Sequence, residues 1–269
     1  MDGYSSYGVA LMRRPSPRLA DGIVTHIART PVDPVLAARQ YTIYQETVAS
    51  AGWRVHEVDP APEHPDSVFV EDPLVVCEDL AVLTRPGAEA RRGEVEGVER
   101  AARTLGLRIA RIEAPGTLDG GDVLQVGETV YLGVGERTNT EGADQLEQLL
   151  APLGRKVHRV ALGRALHLKS AVTALPDGSL IGLPELVEAT SLPPIRRPPE
   201  EPGAHVLPLG GRDVLVSAAA HETIHQLTAD HWRVLPVDIS EFEKLEACVT
   251  CLSVLVPDRP RSDAGSDEE

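Results

Sequence analysis

The run Leu118-Asp119-Gly120-Gly121-Asp122-Val123-Leu124-Gln125-Val126-Gly127-Glu128-Thr129-Val130-Tyr131-Leu132-Gly133 holds a Gly pair between carboxylates, a short apolar strand, a Gly127-Glu128 turn and a second apolar strand. A loop ending Arg137-Thr138-Asn139 and a helical pattern over Glu141 to Leu150 follow. The same order stands upstream, at a spacing of about fifty residues that lies within known repeat periods. There Val68 to Val70 and Glu71-Asp72 precede a strand over Leu74 to Cys77, a Glu78-Asp79 turn and a strand over Ala81 to Thr84. Arg85-Pro86-Gly87 then leads into a predicted helix from Ala88 to Leu105, with Val95, Val98, Ala101, Ala102 and Leu105 on one face, and a strand over Arg108 to Ile112.

Looser copies run from Leu166 through Asp177-Gly178 to Val187, and from His205 through Gly210-Gly211 and a helix near His221 to a strand over Val234 to Asp238. The two chain ends together can supply a fifth. At the N-terminal side, Asp33-Pro34 caps a helix that Gly52 stops, and Trp53 to Val58 alternates as a strand does. One hairpin-plus-helix unit cannot bury its own apolar face, so units at this period imply an array or propeller. The alternative is a generic α/β layer fold.

With 269 residues, the chain is long enough for a substantial core. Only 3% of residues are aromatic, so that core must be built from Val, Leu and Ala. A formal net charge of -15 argues against nucleic acid or an anionic membrane surface as partner, since phosphate binding needs clustered Lys and Arg. No apolar run approaches the roughly 18 residues of a membrane helix, and Met1 to Arg14 has no signal-like core, so a cytoplasmic location is expected. Residues 1–257 are expected to form one catalytic domain and residues 258–269, rich in Asp, Glu and Ser, a disordered acidic tail.

Several motifs compete for the chemistry. His221-Glu222-Thr223-Ile224-His225 matches a zinc-protease helix, and His231 falls where a third ligand can stand. The longer motif, however, needs Gly where Thr228 stands and a downstream Met-turn, while the two methionines lie upstream. This helix is therefore read as solvated. Cys248-x-x-Cys251 lacks the second pair of a structural zinc site. It also follows a helical pattern and precedes a strand, the reverse of a thioredoxin-like motif. Ser240-Glu241-Phe242-Glu243 has a capping-box pattern and predicts a helix ending just before Cys251. A thiol between that helix and the strand Ser253 to Val256 is placed at a strand mouth, and Cys251 is read as a nucleophile. Cys77 is read as a buried, inert thiol.

Taken together, Asp66 to Asp72, Thr84 to Ala88 with Arg91-Arg92, Leu118 to Asp122, Arg137-Thr138-Asn139, Leu166 to Ser170, and Thr250-Cys251 with Ser253-Val254-Leu255 resemble the dimethylarginine dimethylaminohydrolase family, within the guanidine-modifying superfamily. The resemblance spans nearly the whole chain in order. It implies an α/β fold, a five-bladed ββαβ propeller with the active site in its central channel. It also implies roles: Cys251 as nucleophile, His167 as general acid and base, and Asp119 orienting His167. Asp72 with Glu71 would hold the guanidinium, Asp66 the α-amino group, and Arg91 and Arg137 the α-carboxylate, while Ile23 would lie in a flexible lid.

The implied reaction is hydrolysis of Nω,Nω-dimethyl-L-arginine, and of monomethylarginine, to citrulline and an alkylamine through a covalent thiouronium on cysteine. The substrate is a small molecule, no cofactor or metal is implied, and a homodimer is left open. Arginine deiminases carry an Asp two residues after the catalytic His, where this chain has Lys169, which favours a methylated substrate. Another guanidine hydrolase or deiminase, or a non-catalytic propeller that binds a protein, are the alternatives. Glu246, where vertebrate relatives have Asp, marks a shifted contact near the pocket.

Overall fold

The computed structural model describes residues 7–258, so the expected tail lies, from residue 259 on, outside the described residues. The strands group into five sheets of three. In the first, Leu74–Cys77 pairs antiparallel with Leu80–Leu83, and the chain then crosses over through helix Val95–Thr104 to lay Arg108–Arg111 parallel to Leu80–Leu83. A parallel return demands such a crossover, whereas the antiparallel pair needs only the tight turn that Glu78 makes with φ +55°. The second sheet repeats this with Val123–Val126, Thr129–Val134, helix Thr140–Leu150 and Lys156–Ala161.

The third sheet, Val172–Ala174, Leu180–Gly182 and Ile195–Arg196, replaces the crossover helix with short 3-10 turns. The fourth uses Val206–Gly210, Asp213–Ser217, helix His221–Ala229 and Arg233–Val237. The fifth joins the ends of the chain, with Val254–Pro257 antiparallel to Gly8–Met12, which runs parallel to Trp53–Glu57 after helix Pro34–Ser50.

Alternation along each strand welds the blades into a ring. Side chains on a strand point to opposite faces in turn. Val9 and Leu11 therefore pack with Val254, Val256, Leu74 and Val76 toward the first sheet, while Ala10 and Met12 join Leu207, Leu209 and Leu215 of the fourth. Val75 and Cys77 turn the other way from Leu74 and pack on Val123, Val130 and helix residues Ala143, Leu146 and Leu150. Leu124 faces Val172 and Leu180, and Ile181 faces Val206, Val214 and Leu227. Five apolar clusters thus sit between five successive pairs of blades. Burial of this kind stabilises by roughly 25 cal/mol per Å² of apolar surface. Here it is shared by neighbours, which is why no blade could stand alone.

Two expected helices are corrected. The helix predicted from Ala88 begins as a 3-10 turn over Glu89–Glu94, which points Arg91 and Glu94 inward, before the α-helix starts at Val95. The helix predicted up to Cys251 is four residues long, Ser240–Glu243. Its capping box does not form: Ser240 N–H donates to Asp238 Oδ1 at 2.9 Å, and the Glu243 carboxylate accepts from Ser217 Oγ at 2.6 Å. Without that reciprocal pair the chain unwinds through turns, and Glu246 adopts the left-handed region at φ +64°.

Candidate active site

The first strand of every blade lines one central channel: Leu74 to Val76, Val123 to Gln125, Thr173 and Ala174, Val206 to Pro208, and Ser253 to Leu255. The segments just ahead of three of those strands bring Asp66 and Asp72, His167, and Cys251 to one end, where Ile23, Arg91 and Arg137 from segments that follow other strands join them to line a single small pocket. Residues from six distant stretches are brought together there.

Cys251 closes a turn in which its N–H donates to Cys248 O at 3.1 Å. Tyr44, wholly buried, pins that turn from behind, donating to Val249 O at 2.7 Å and bonding Ser253 Oγ at 2.9 Å. The Cys251 and Cys248 sulfurs are 3.5 Å apart, and Cys248 N–H points at Cys251 Sγ. Either sulfur can donate to the other. That hydrogen bond, with burial, Glu71 and Asp72 behind it, pushes the Cys251 thiol up, while the same bond, against burial and helped by His205 and Thr250, pulls Cys248 down.

His167 Nε2 lies 3.0 Å from Asp119 Oδ2, and its Nδ1 turns toward Asp72 Oδ1 at 3.8 Å. Burial pushes the imidazole pKa down, but Asp72, the hydrogen bond to Asp119, and Asp122 outweigh it and raise it from 6.5 to about 9. Asp119 stands behind His167, fully buried, with its other oxygen accepting Gly87 N–H at 2.8 Å. The two glycines beside it are a packing necessity. A Cβ on Gly120 would come 2.0 Å from Glu71 O, and one on Gly121 2.6 Å from His167 Nδ1.

Asp72 opposes its burial with His167 and Arg91 as neighbours, and its carboxyl stays below the ordinary range. Arg91 is committed elsewhere within the protein: Nη1 to Asp72 at 2.5 Å, Nε and Nη2 to Glu94, and Nη2 also to the carbonyls of Asp66 and Phe69. Arg137 differs. Its guanidinium has one ion pair, 3.9 Å from Asp119, and makes no hydrogen bond among the described residues. Asp66, raised by burial, accepts Ile23 N–H at 3.0 Å and so ties the N-terminal segment to the pocket.

Glu71 is the residue set apart. It lines the channel rather than the pocket, with Lys169 Nζ 2.6 Å from one oxygen and Thr250 Oγ1 2.9 Å from the other. Burial raises it to about 7 against the pull of Lys169. This pair forms a floor between channel and pocket. Lys169, two residues after His167, is thus turned away from the pocket.

Two contributors escaped the sequence reading, and a third, Glu246, was expected only as a shifted contact near the pocket. Asp122 accepts Leu168 N–H at 3.0 Å and Thr138 Oγ1 at 2.6 Å, fixing the backbone next to His167. Its place in the Asp-Gly-Gly-Asp run was the available signal. Glu94 holds Arg91, but an i,i+3 ion pair in sequence looks like solvated surface. Glu246 takes the N–H groups of Thr25, His26 and Ile27 on one oxygen. Its position in the sequence carries no sign of that reach. By contrast, His221, Glu222 and His225 are exposed on their helix. Among the described residues the grouping of possible metal ligands is Asp72, Asp119 and His167, which already serve one another as ion pairs.

The chain matches the arginine deiminase family over residues 51–205. It is 55% identical to an N(G),N(G)-dimethylarginine dimethylaminohydrolase of Streptomyces coelicolor over 91% of this chain and 95% of that one. It is 34% identical to the enzyme of the same name from Pseudomonas aeruginosa, over 91% and 97% of the two chains. A solved structure of the Pseudomonas aeruginosa protein, a Cys-to-Ser mutant complexed with citrulline, superposes with a TM-score of 0.86 at 32% identity, covering 93% of this chain and all of that one. No helix among the described residues is long and apolar enough to cross a membrane.

Proposed function

The chain belongs to the dimethylarginine dimethylaminohydrolase family, and from that premise we propose how its residues divide the hydrolysis of Nω,Nω-dimethyl-L-arginine to citrulline and dimethylamine. The observation that carries the reading is the convergence of Cys251, His167, Asp72, Asp66 and Arg137 on one pocket. A guanidinium is delocalised and cationic, hence a poor electrophile that must be fixed before it can be attacked. Asp72, held ionised by Arg91 and His167, grips one edge of it. Arg137 takes the α-carboxylate and Asp66 the α-amino group. Arg91 acts mainly by positioning Asp72, since its donors are already committed, and Glu71 contributes from the floor.

Cys251 attacks the central carbon as a thiolate. The hydrogen bond to Cys248 and burial, then Glu71 and Asp72, push its thiol up in the free site; a cationic substrate offsets the acidic part and favours release of the thiol proton to solvent. His167, raised to about 9, carries a proton at neutral pH. Its Nδ1, facing the Asp72 side, gives that proton to the departing dimethylamine and then takes one from the water that releases citrulline from the thiouronium. Lys169, bound to Glu71, leaves no second carboxylate to demand N–H groups that a dimethylated nitrogen lacks. That supports methylated substrates, monomethylarginine included, over arginine.

The five blades, expected over residues 1–257, serve as one catalytic domain because each lends a strand to the channel. A cytoplasmic location is supported by three unpaired cysteines. The test is citrulline release from dimethylarginine and, in parallel, from arginine. Turnover of the methylated substrate, abolished in Cys251→Ser and kept in Cys248→Ser, is expected. Equal turnover of arginine would overturn the assignment of substrate.

A further inference from the structure

We propose that Cys248 and Cys251 close a reversible disulfide that switches the enzyme off, and that Cys248 is the thiol through which oxidant and reductant act. The inference rests on the reading of Cys251 as nucleophile. Geometry carries the first part. The two sulfurs are 3.5 Å apart and already share a hydrogen bond. Their residues sit at the first and last positions of a turn closed by the Cys251 N–H to Cys248 O bond of 3.1 Å. Such a turn keeps its end Cα atoms within about 7 Å, and disulfides span about 4.4–6.8 Å, so rotation of the two side chains suffices to bring the sulfurs into bonding distance.

Access carries the second part. A pocket separate from the substrate pocket, lined by Ile27, Leu166, Leu186, Pro202 and His205, ends on Cys248. Leu166, Glu246 and Ala247 line both pockets and form the wall between them. Cys251 therefore faces the substrate and Cys248 faces the second cavity, while the sulfurs touch through the wall. The hydrogen bond with Cys251 and then the nearby His205, against burial, lower the Cys248 thiol toward its thiolate.

A small peroxide entering the second pocket meets that thiolate. Cys248 sulfur attacks one peroxide oxygen, the O–O bond breaks, and the leaving alkoxide or hydroxide takes the proton of Cys251. Cys251 thiolate then attacks the sulfenic sulfur of Cys248 and expels hydroxide, which is protonated to water. Two electrons leave the sulfur pair and reduce one peroxide. A low-molecular-weight thiol reverses the step by attacking Cys248 from the same pocket, freeing Cys251 as thiolate, and a second thiol resolves the mixed disulfide. Cys77, buried in another cluster, has no part in it.

The experiment treats the intact enzyme with one equivalent of hydrogen peroxide, then with dithiothreitol. Activity with dimethylarginine and the mass of the peptide bearing both cysteines are measured at each stage. Expected for wild type is loss of activity in step with loss of two hydrogens from that peptide, and recovery of both on reduction. Expected for Cys248→Ser, active before treatment, is slower inactivation with gain of oxygen on Cys251. Gain of oxygen without loss of hydrogens in wild type overturns the disulfide, and so does full thiol-reversible inactivation of Cys248→Ser by the wild-type course. A disulfide that forms while activity persists overturns the switch through a different fault, the assignment of Cys251 as nucleophile. The wild-type peptide decides the bond even if the variant fails to fold.

Discussion

His167 Nε2 lies 3.0 Å from Asp119 Oδ2, with the carboxylate sealed from solvent behind the ring. Both nitrogens of His167 therefore face acceptors, which fixes the ring and makes its protonated form the favoured one. Its pKa is raised, so the stabilisation it brings is fully present below pH 6.5 and is lost as pH rises through about 9. The same step removes the proton needed by the leaving amine. Activity on dimethylarginine is expected to fall on an alkaline limb near pH 9. Asp119→Asn removes the charge, shifts that limb toward neutrality, and lowers kcat by roughly 10²–10⁴-fold, the usual worth of a positioned acid or base. A pH profile of both enzymes checks this; an unmoved limb in the variant would mean that another group sets it.

Gly121 tests how closely the same site is packed. An added Cβ would stand 2.6 Å from His167 Nδ1 and 2.8 Å from Asp72 Oδ1, closer than non-bonded atoms approach. Gly121→Ala must push the acid away from the guanidinium holder. Misplacement by about 1 Å can cost 10²-fold, so kcat is expected to drop at least that far. Overpacking costs about 1–3 kcal/mol, leaving a folded protein. At Gly106, where nothing lies within 4 Å, the cost of Ala is backbone strain at φ +71°, and kcat should be unchanged. Circular dichroism beside steady-state kinetics separates the two effects.

Lys169, half-buried, and Glu71, buried, form a pair 2.6 Å apart, and Thr250 completes the carboxylate's shell. Without Lys169, Glu71, already raised to about 7, takes up a proton, so the loss is that of a charge-assisted hydrogen bond, about 1.5–3 kcal/mol. Lys169→Met should therefore destabilise by about that much, while Lys169→Met with Glu71→Gln recovers most of it. Urea unfolding of the single and double variants measures the coupling. Additive effects would show that the floor gains nothing from the pair.

The repeated order of turn, hairpin and helix made the propeller legible, because period-two alternation in strands such as Gly8–Met12 and Leu74–Cys77 decides which blades touch. Cys251 and the Asp-Gly-Gly-Asp run were legible for a related reason, since each stands just ahead of an inner strand, whereas His167 was placed by the family resemblance. Less legible was anything that depends on the path of an irregular segment. Glu71 and Asp72 are adjacent in sequence, yet the turn that holds both sends one carboxylate to the channel and the other to the pocket. Arg91 and Glu94 look like a surface pair until a 3-10 turn, tighter than the predicted α-helix, rotates both inward. The failed capping box at Ser240 is the same lesson, since Glu243 found a partner, Ser217, more than twenty residues away in the chain.

Glu246 supplies the last test. Its carboxylate oxygen Oε1 accepts the N–H groups of Thr25 at 2.7 Å, Ile27 at 2.9 Å and His26 between them, while Oε2 takes Thr25 Oγ1 at 3.2 Å. The left-handed backbone at Glu246 is what aims the side chain there. Together with Asp66, which holds Ile23, it fastens residues 22–27 over the pocket. Hydrogen bonds to a charged acceptor are worth about 1.5–3 kcal/mol each before the competing hydration of an exposed loop is counted. Glu246→Ala is expected to raise KM for dimethylarginine by roughly tenfold, equivalent to about 1.4 kcal/mol, with a smaller change in kcat. Glu246→Gln keeps an acceptor oxygen and should recover part of that loss. Hydrogen exchange over residues 22–30 should rise in step with KM. Faster exchange with an unchanged KM would separate the fastening of this segment from substrate binding.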